Sequence, residues 1–181
     1  MIASLEPAHY VRTPWKNGGG VTIDIAEQDN AWRFGRTPIT APGPFSDYSG
    51  FDRAQVLVSG NGLVLQTPDG EIDVRTPFKP VRFAGETAIT SRLESGPVEV
   101  VNLIGNRATV RIDLQVLHAG AAIGRSAGTH IVYAADGPAA LTIDRAPHRL
   151  ASEHCLRIDA SGPSMIACTD GMLLVGSVIC A

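Results

Sequence analysis

The run Pro14-Trp15-Lys16-Asn17-Gly18-Gly19-Gly20 places an indole, an ammonium and an amide directly before three consecutive glycines. Lysine is scarce, with Lys16 and Lys79 the only two in the chain. Asn17 can both donate and accept hydrogen bonds. Three glycines cost the folded chain backbone entropy, a cost explained where backbone must approach a group closely or take positive φ. Val21-Thr22-Ile23-Asp24-Ile25-Ala26 then alternates apolar and polar, as a half-buried strand does. A glycine turn feeding a strand, with Trp15, Lys16 and Asn17 at its mouth, suits a small polar or anionic ligand. The rival is a structural turn with a solvated lysine. The run is not a P-loop, because its lysine precedes the glycines and no Ser or Thr follows that lysine.

Two arginines extend the anion chemistry. Arg33 lies in an alternating segment, and Arg53 follows the turn Gly50-Phe51-Asp52. A guanidinium binds a carboxylate through paired charge-assisted hydrogen bonds, and inside a barrel it needs an anion, either a ligand or an internal Asp such as Asp52 or Asp24. Phe45 and Ser46 could supply an aromatic wall and a hydroxyl at the rim of a pocket, or a core ring at a turn. Asn102 sits mid-strand among apolar residues, where a buried amide must find partners. The expected ligand contacts are therefore Trp15, Lys16, Asn17, Arg33, Phe45, Ser46, Arg53 and Asn102.

Other chemistries find less support. None of His9, His118, His130, His148 and His154 forms a metal-binding His-x-His pair, and the first half holds only His9. No metal site, cofactor or catalytic residue is expected. Gly124-Arg125-Ser126-Ala127-Gly128 matches the spacing of a nucleophile elbow, but that motif needs a helix after the serine, and the strand-like Thr129-His130-Ile131-Val132-Tyr133 follows. Asp69, Glu71 and Asp73 read as a hairpin with a solvated face.

The elements that must position these residues are short. Glycine and proline recur every few residues, helical periodicity is rare, and β-branched runs broken by turns suggest an all-β sandwich or barrel with little helix. An approximate repeat links Gln55-Val56-Leu57-Val58-Ser59-Gly60-Asn61-Gly62 with His130-Ile131-Val132-Tyr133-Ala134-Ala135-Asp136-Gly137. Each reads as a strand leading into a glycine hairpin. Two duplicated barrels explain this better than one sandwich. The expected division is 1–106, carrying the ligand residues, and 107–181, with strands free to cross between them.

At 181 residues, 44% hydrophobic and 18% charged, the chain can bury about 70% of its unfolded surface. The net charge of −3 and dispersed arginines argue against nucleic acid and membrane partners and leave a homodimer open. The N-terminus reads as lacking a signal peptide, and three cysteines fit neither a CxxC site nor a disulfide framework. A cytoplasmic protein is expected.

The sequence resembles the HutD/Ves family. Pro14-Trp15-Lys16-Asn17-Gly18-Gly19-Gly20 carries the likeness, followed in order by Trp32-Arg33, Gly43-Pro44-Phe45-Ser46, Gly50-Phe51-Asp52-Arg53 with Val58-Ser59-Gly60-Asn61-Gly62, Arg82-Phe83-Ala84-Gly85-Glu86, and Gly96-Pro97-Val98 with Asn102. The resemblance implies a bicupin without the usual cupin metal, associated with histidine utilisation, and formylglutamate as a ligand of the HutD branch. This chain departs from the family pattern at Ile23, at Phe34-Gly35-Arg36-Thr37, at Val100 and at Ile104. Three roles follow as expectations: a metal-independent, regulatory binder of a small carboxylate; a metal-independent isomerase or hydrolase acting on such an acid; or a partner-binding scaffold.

Overall fold

Turns rich in glycine and proline cut the chain into short runs, and almost every run becomes a strand. The structure is a computed structural model that describes residues 1–15 and 18–181. The first half runs β1 (Ile2–Leu5), β2 (Val11–Pro14), β3 (Val21–Gln28), β4 (Trp32–Ile39), β5 (Gly43–Pro44), β6 (Phe51–Ser59), β7 (Leu63–Thr67), β8 (Gly70–Val74), β9 (Val81–Ala84), β10 (Thr90–Leu93) and β11 (Val98–Asn106). The second half continues with β12 (Val110–His118), β13 (Ala122–Arg125), β14 (Gly128–Tyr133), β15 (Ala139–Ile143), β16 (Ala146–Leu150), β17 (Cys155–Ala160), β18 (Ser164–Asp170) and β19 (Met172–Cys180). Among the described residues the one helical element is a 3₁₀ turn at Pro7–His9, and no helix is long and apolar enough to cross a membrane.

Each half pairs a large sheet with a small one. In the first, the order β2-β3-β4-β11-β6-β9 faces the sheet β5-β10-β7-β8. In the second, β1-β17-β14-β19-β12 faces β13-β18-β15-β16. All pairings are antiparallel. The strand β1 crosses between the halves: it lies on β17, with Ile2 opposite Ile158. There it covers a sheet edge that would otherwise present unpaired backbone groups.

Three apolar layers result. Leu57, Leu63, Leu65 and Val100 fill the first barrel, and Val132, Leu141, Ile166 and Leu173 fill the second. Between the two large sheets lies a third layer containing Phe34, Val56, Val101 and Leu103 from one half with Ile131, Tyr133 and Leu174 from the other. The central strands are therefore buried on both faces and read as near-continuous apolar runs. On β11 the even positions Val100, Asn102 and Ile104 face the first barrel, while Val101 and Leu103 join the layer between the sheets. Phe34 and Tyr133 meet there edge to face at 5.9 Å.

Candidate ligand-binding site in the first barrel

Strand alternation assembles the site. Side chains two apart share a face, so β6 presents Arg53 and Gln55, β4 presents Arg33, Gly35 and Thr37, and β11 presents Asn102 to one cavity. The register places Asn102 between Gln55 and Gly35. Phe45, Ser46 and Tyr48 contribute from the segment after β5, with Trp15 from just after β2 and Thr22 from the start of β3. The cavity measures ≈ 50 Å³. A water needs about 10–15 Å³ on this measure, which leaves room for a head group of roughly three to five non-hydrogen atoms.

The glycine turn answers its entropic cost locally. Trp15 N–H donates to the Gly20 carbonyl at 2.9 Å and Gly18 N–H to the Trp15 carbonyl at 3.0 Å, with Gly18 at φ 71. A Cβ on Gly20 would lie 3.0 Å from the Trp15 indole, so glycine lets the ring lie against the backbone. Held there, Trp15 Nε1 donates to Thr22 Oγ1 at 3.1 Å. Gly35 serves the same purpose in the wall, where a Cβ would come within 2.9 Å of the Ile23 carbonyl oxygen.

Arg53 is the electrostatic centre. It is 7% exposed, and no carboxylate of the described residues pairs with it. Asp52, its neighbour in sequence, instead binds Arg107 at 2.8 Å. The Arg53 guanidinium carbon lies 5.1 Å from the Phe45 ring centre, 5.5 Å from Tyr48 and 5.0 Å from Phe83. Aromatic faces attract a desolvated cation without taking up its N–H groups. Burial pushes the guanidinium down to about 10, so it stays charged at neutral pH. Its Nη2 donates to Asn102 Oδ1 at 3.2 Å, and its Nε is buried without a partner.

A hydrogen-bonded chain stiffens the wall beside it. Gln55 Nε2 donates to the same Asn102 Oδ1 at 3.0 Å, and Asn102 Nδ2 donates to Thr37 Oγ1 at 3.4 Å. The Thr37 and Thr22 hydroxyls lie 3.2 Å apart, which links the chain back to Trp15. Asn102 thus both lines the cavity and sits in a paired polar network.

Trp15, Arg33, Phe45, Ser46, Arg53 and Asn102 therefore border one space, while Lys16 and Asn17 lie outside the described residues. Arg33 has partners of its own. Its Nε is 3.2 Å from Asp24 Oδ1, in charge contact without hydrogen-bond geometry, and it donates to Glu27 Oε2 at 3.3 Å. Burial pushes the Asp24 carboxyl up, against the Thr13 hydrogen bond and the Arg33 charge. Sequence reasoning passed over Thr37, Tyr48 and Gln55. Two of them were reachable by parity, since Gln55 lies two residues from Arg53 and Thr37 lies four from Arg33. Of the positions that depart from the family pattern, Val100, Ile104, Gly35 and Thr37 line the cavity and Ile23 does not.

In the second barrel a paired histidine stands where the first barrel has Gln55. His130, at the repeat position of Gln55, lies fully buried with Nδ1 3.0 Å from Ser177 Oγ and Nε2 3.0 Å from the Ser126 carbonyl. The carbonyl requires a proton on Nε2, so Nδ1 accepts from Ser177. Gly124 and Arg125 end a strand and Gly128 begins the next, so no helix follows Ser126. Among the described residues no three His, Cys, Asp or Glu side chains gather to hold a metal. The cavity wall offers amides, hydroxyls and a guanidinium, which do not suit a transition-metal ion.

Two sheet-pair barrels joined through their large sheets define a bicupin. The same architecture, at 7% identity and therefore as a likeness of fold alone, occurs in the protein YlbA of Escherichia coli, with a TM-score of 0.71 over 98% of this chain and 90% of that one. The chain belongs to the HutD family, whose model matches residues 7–174. A relative from Pseudomonas putida, an uncharacterised 21.2 kDa protein in the hutC 3′ region, is 29% identical over 164 residues, spanning 87% of this chain and 86% of the relative. HutD from Pseudomonas fluorescens SBW25, solved in a formate condition, superposes with a TM-score of 0.84 at 25% identity over 100% of both chains. A conserved protein of unknown function from Pseudomonas aeruginosa PAO1 gives 0.88 at 23% identity, again over 100% of both chains.

Proposed function

We propose that the first-barrel cavity binds the carboxylate of a small metabolic acid through Arg53, and that the protein is a metal-independent binder with a regulatory or accessory role in histidine utilisation. The observation that carries this reading is a buried guanidinium with no carboxylate partner among the described residues. A buried cation is costly unless an anion answers it, and here the adjoining space is left for one. The pathway rests on the family and on the hutC-region relative. An acid resembling formylglutamate is the first candidate, its carboxylate inside and the rest of the molecule towards the mouth. Lys16, assigned on sequence grounds alone, would add a second cation.

The test is a thermal-shift series on EDTA-treated protein with small mono- and dicarboxylates, formylglutamate among them, each beside its uncharged amide. Binding to the folded state raises the melting temperature by mass action. A saturable rise with an acid and none with its amide is expected. Equal behaviour of acids and amides contradicts a carboxylate site and favours a partner-binding scaffold. Consumption of the bound acid by the same EDTA-treated protein would favour the enzyme over the binder.

A further inference from the structure

The wall beside Arg53 contains a second unanswered group, and it is an acceptor. Gln55 is fully buried. Its amide orientation follows from Asn102, whose Oδ1 receives both Gln55 Nε2 and Arg53 Nη2 while Asn102 Nδ2 is engaged by Thr37. The nitrogen of Gln55 must therefore face Asn102, which turns Oε1 elsewhere. That oxygen is buried with no hydrogen-bond partner. Burying a carbonyl oxygen without a donor forfeits its hydration, a cost that native interiors rarely tolerate. Arg53 and Gln55 stand two residues apart on one face of β6 and border the same cavity. One molecule can thus meet the unpaired cation and the unpaired acceptor together.

We infer that the ligand is a small acid carrying an uncharged donor, a hydroxyl or an amide N–H, next to its carboxylate, and that Gln55 is the residue that reads this donor. The inference rests on the acid-binding reading of the same cavity. An ammonium group is a poor substitute, because it would be desolvated beside the Arg53 cation. A plain alkyl acid answers Arg53 and leaves Gln55 Oε1 unsatisfied. The volume of ≈ 50 Å³ suits a head group of this size, with any longer chain extending outward.

Calorimetry with two matched pairs tests this on the wild-type protein: lactate against propionate, and N-acetylglycine against 4-oxopentanoate. Each pair differs in the donor and keeps the carboxylate. The donor-bearing acid of at least one pair is expected to bind on the order of ten-fold more tightly. Gln55→Met, which keeps length and burial without the acceptor, is expected to abolish that preference, so that both acids of a pair bind alike, whatever the loss of its bond to Asn102 does to their common affinity. Equal affinities within both pairs in the wild type, or a preference that survives in Gln55→Met, overturn the inference and leave the acid-binding reading standing. Binding of none of the four acids overturns both. The wild-type comparison decides the matter even if the variant does not fold.

Discussion

An arginine buried inside a barrel with no carboxylate partner among the described residues weakens the fold that contains it, since there the charge gives up water and receives aromatic faces and one amide oxygen in return. Arg33 shows the alternative arrangement a short distance away, where Asp24 and Glu27 answer the charge internally. Both arginines are visible in the sequence as candidate anion contacts. What separates them is which carboxylate each can reach. That depends on a register shift between Asp24 and Ala26 in the β3–β4 ladder and on Arg107 claiming Asp52, neither of which has a local signature. His130 carries a separate prediction at this scale. Burial holds its imidazole below the usual value of 6.5, so between the lowered value and 6.5 the unfolded chain binds more protons than the folded one, and stability must fall as pH falls through that window. Urea midpoints measured from about pH 7.5 down to about pH 5.5 should drop more steeply in wild type than in His130→Gln. Parallel slopes would show that this imidazole takes up its proton without disturbing the fold.

At the scale of elements, the turn from Trp15 to Gly20 works because glycine leaves space for an indole. Gly20→Val should displace the ring, break its bond to Thr22 and cost about 1–3 kcal/mol, read by urea denaturation together with a red shift of tryptophan emission. An unchanged emission maximum would mean that the ring does not rest on Gly20. The buried strands were legible because burial on one or both faces leaves apolar runs, as in β6, β11 and β19, or apolar alternation, as in β12. The strands β1, β2, β9, β13 and β16 were not. Their residues are mostly exposed or half-buried, and backbone pairing with a neighbouring strand holds them without an apolar pattern of their own.

For the whole molecule, the decisive feature is the apolar layer that joins the two large sheets. The repeat in the sequence suggests two barrels but not how they meet, because the residues that join them are the alternate positions of strands that also line barrel interiors. Phe34 belongs to that layer and is fully buried against Tyr133. Phe34→Ala should cost about 3–5 kcal/mol while leaving a single cooperative transition. Two separate transitions in the wild type would mean that the halves fold independently. Thiol reactivity offers a simpler check of the same packing: with Cys155 and Cys168 buried and Cys180 exposed, one thiol should react quickly in native protein and all three after denaturation.

The measurement that bears most directly on the central claim pairs calorimetry with a melting curve for wild type and Arg53→Met, using an acid that raises the wild-type melting temperature. If Arg53 is retained to hold a carboxylate, the variant should lose on the order of a hundred-fold in affinity and, without ligand, melt no lower than wild type, because an unpaired buried charge has been replaced by an apolar side chain of similar length. Unchanged affinity in a variant that melts well below wild type would contradict this account and make Arg53 a structural group.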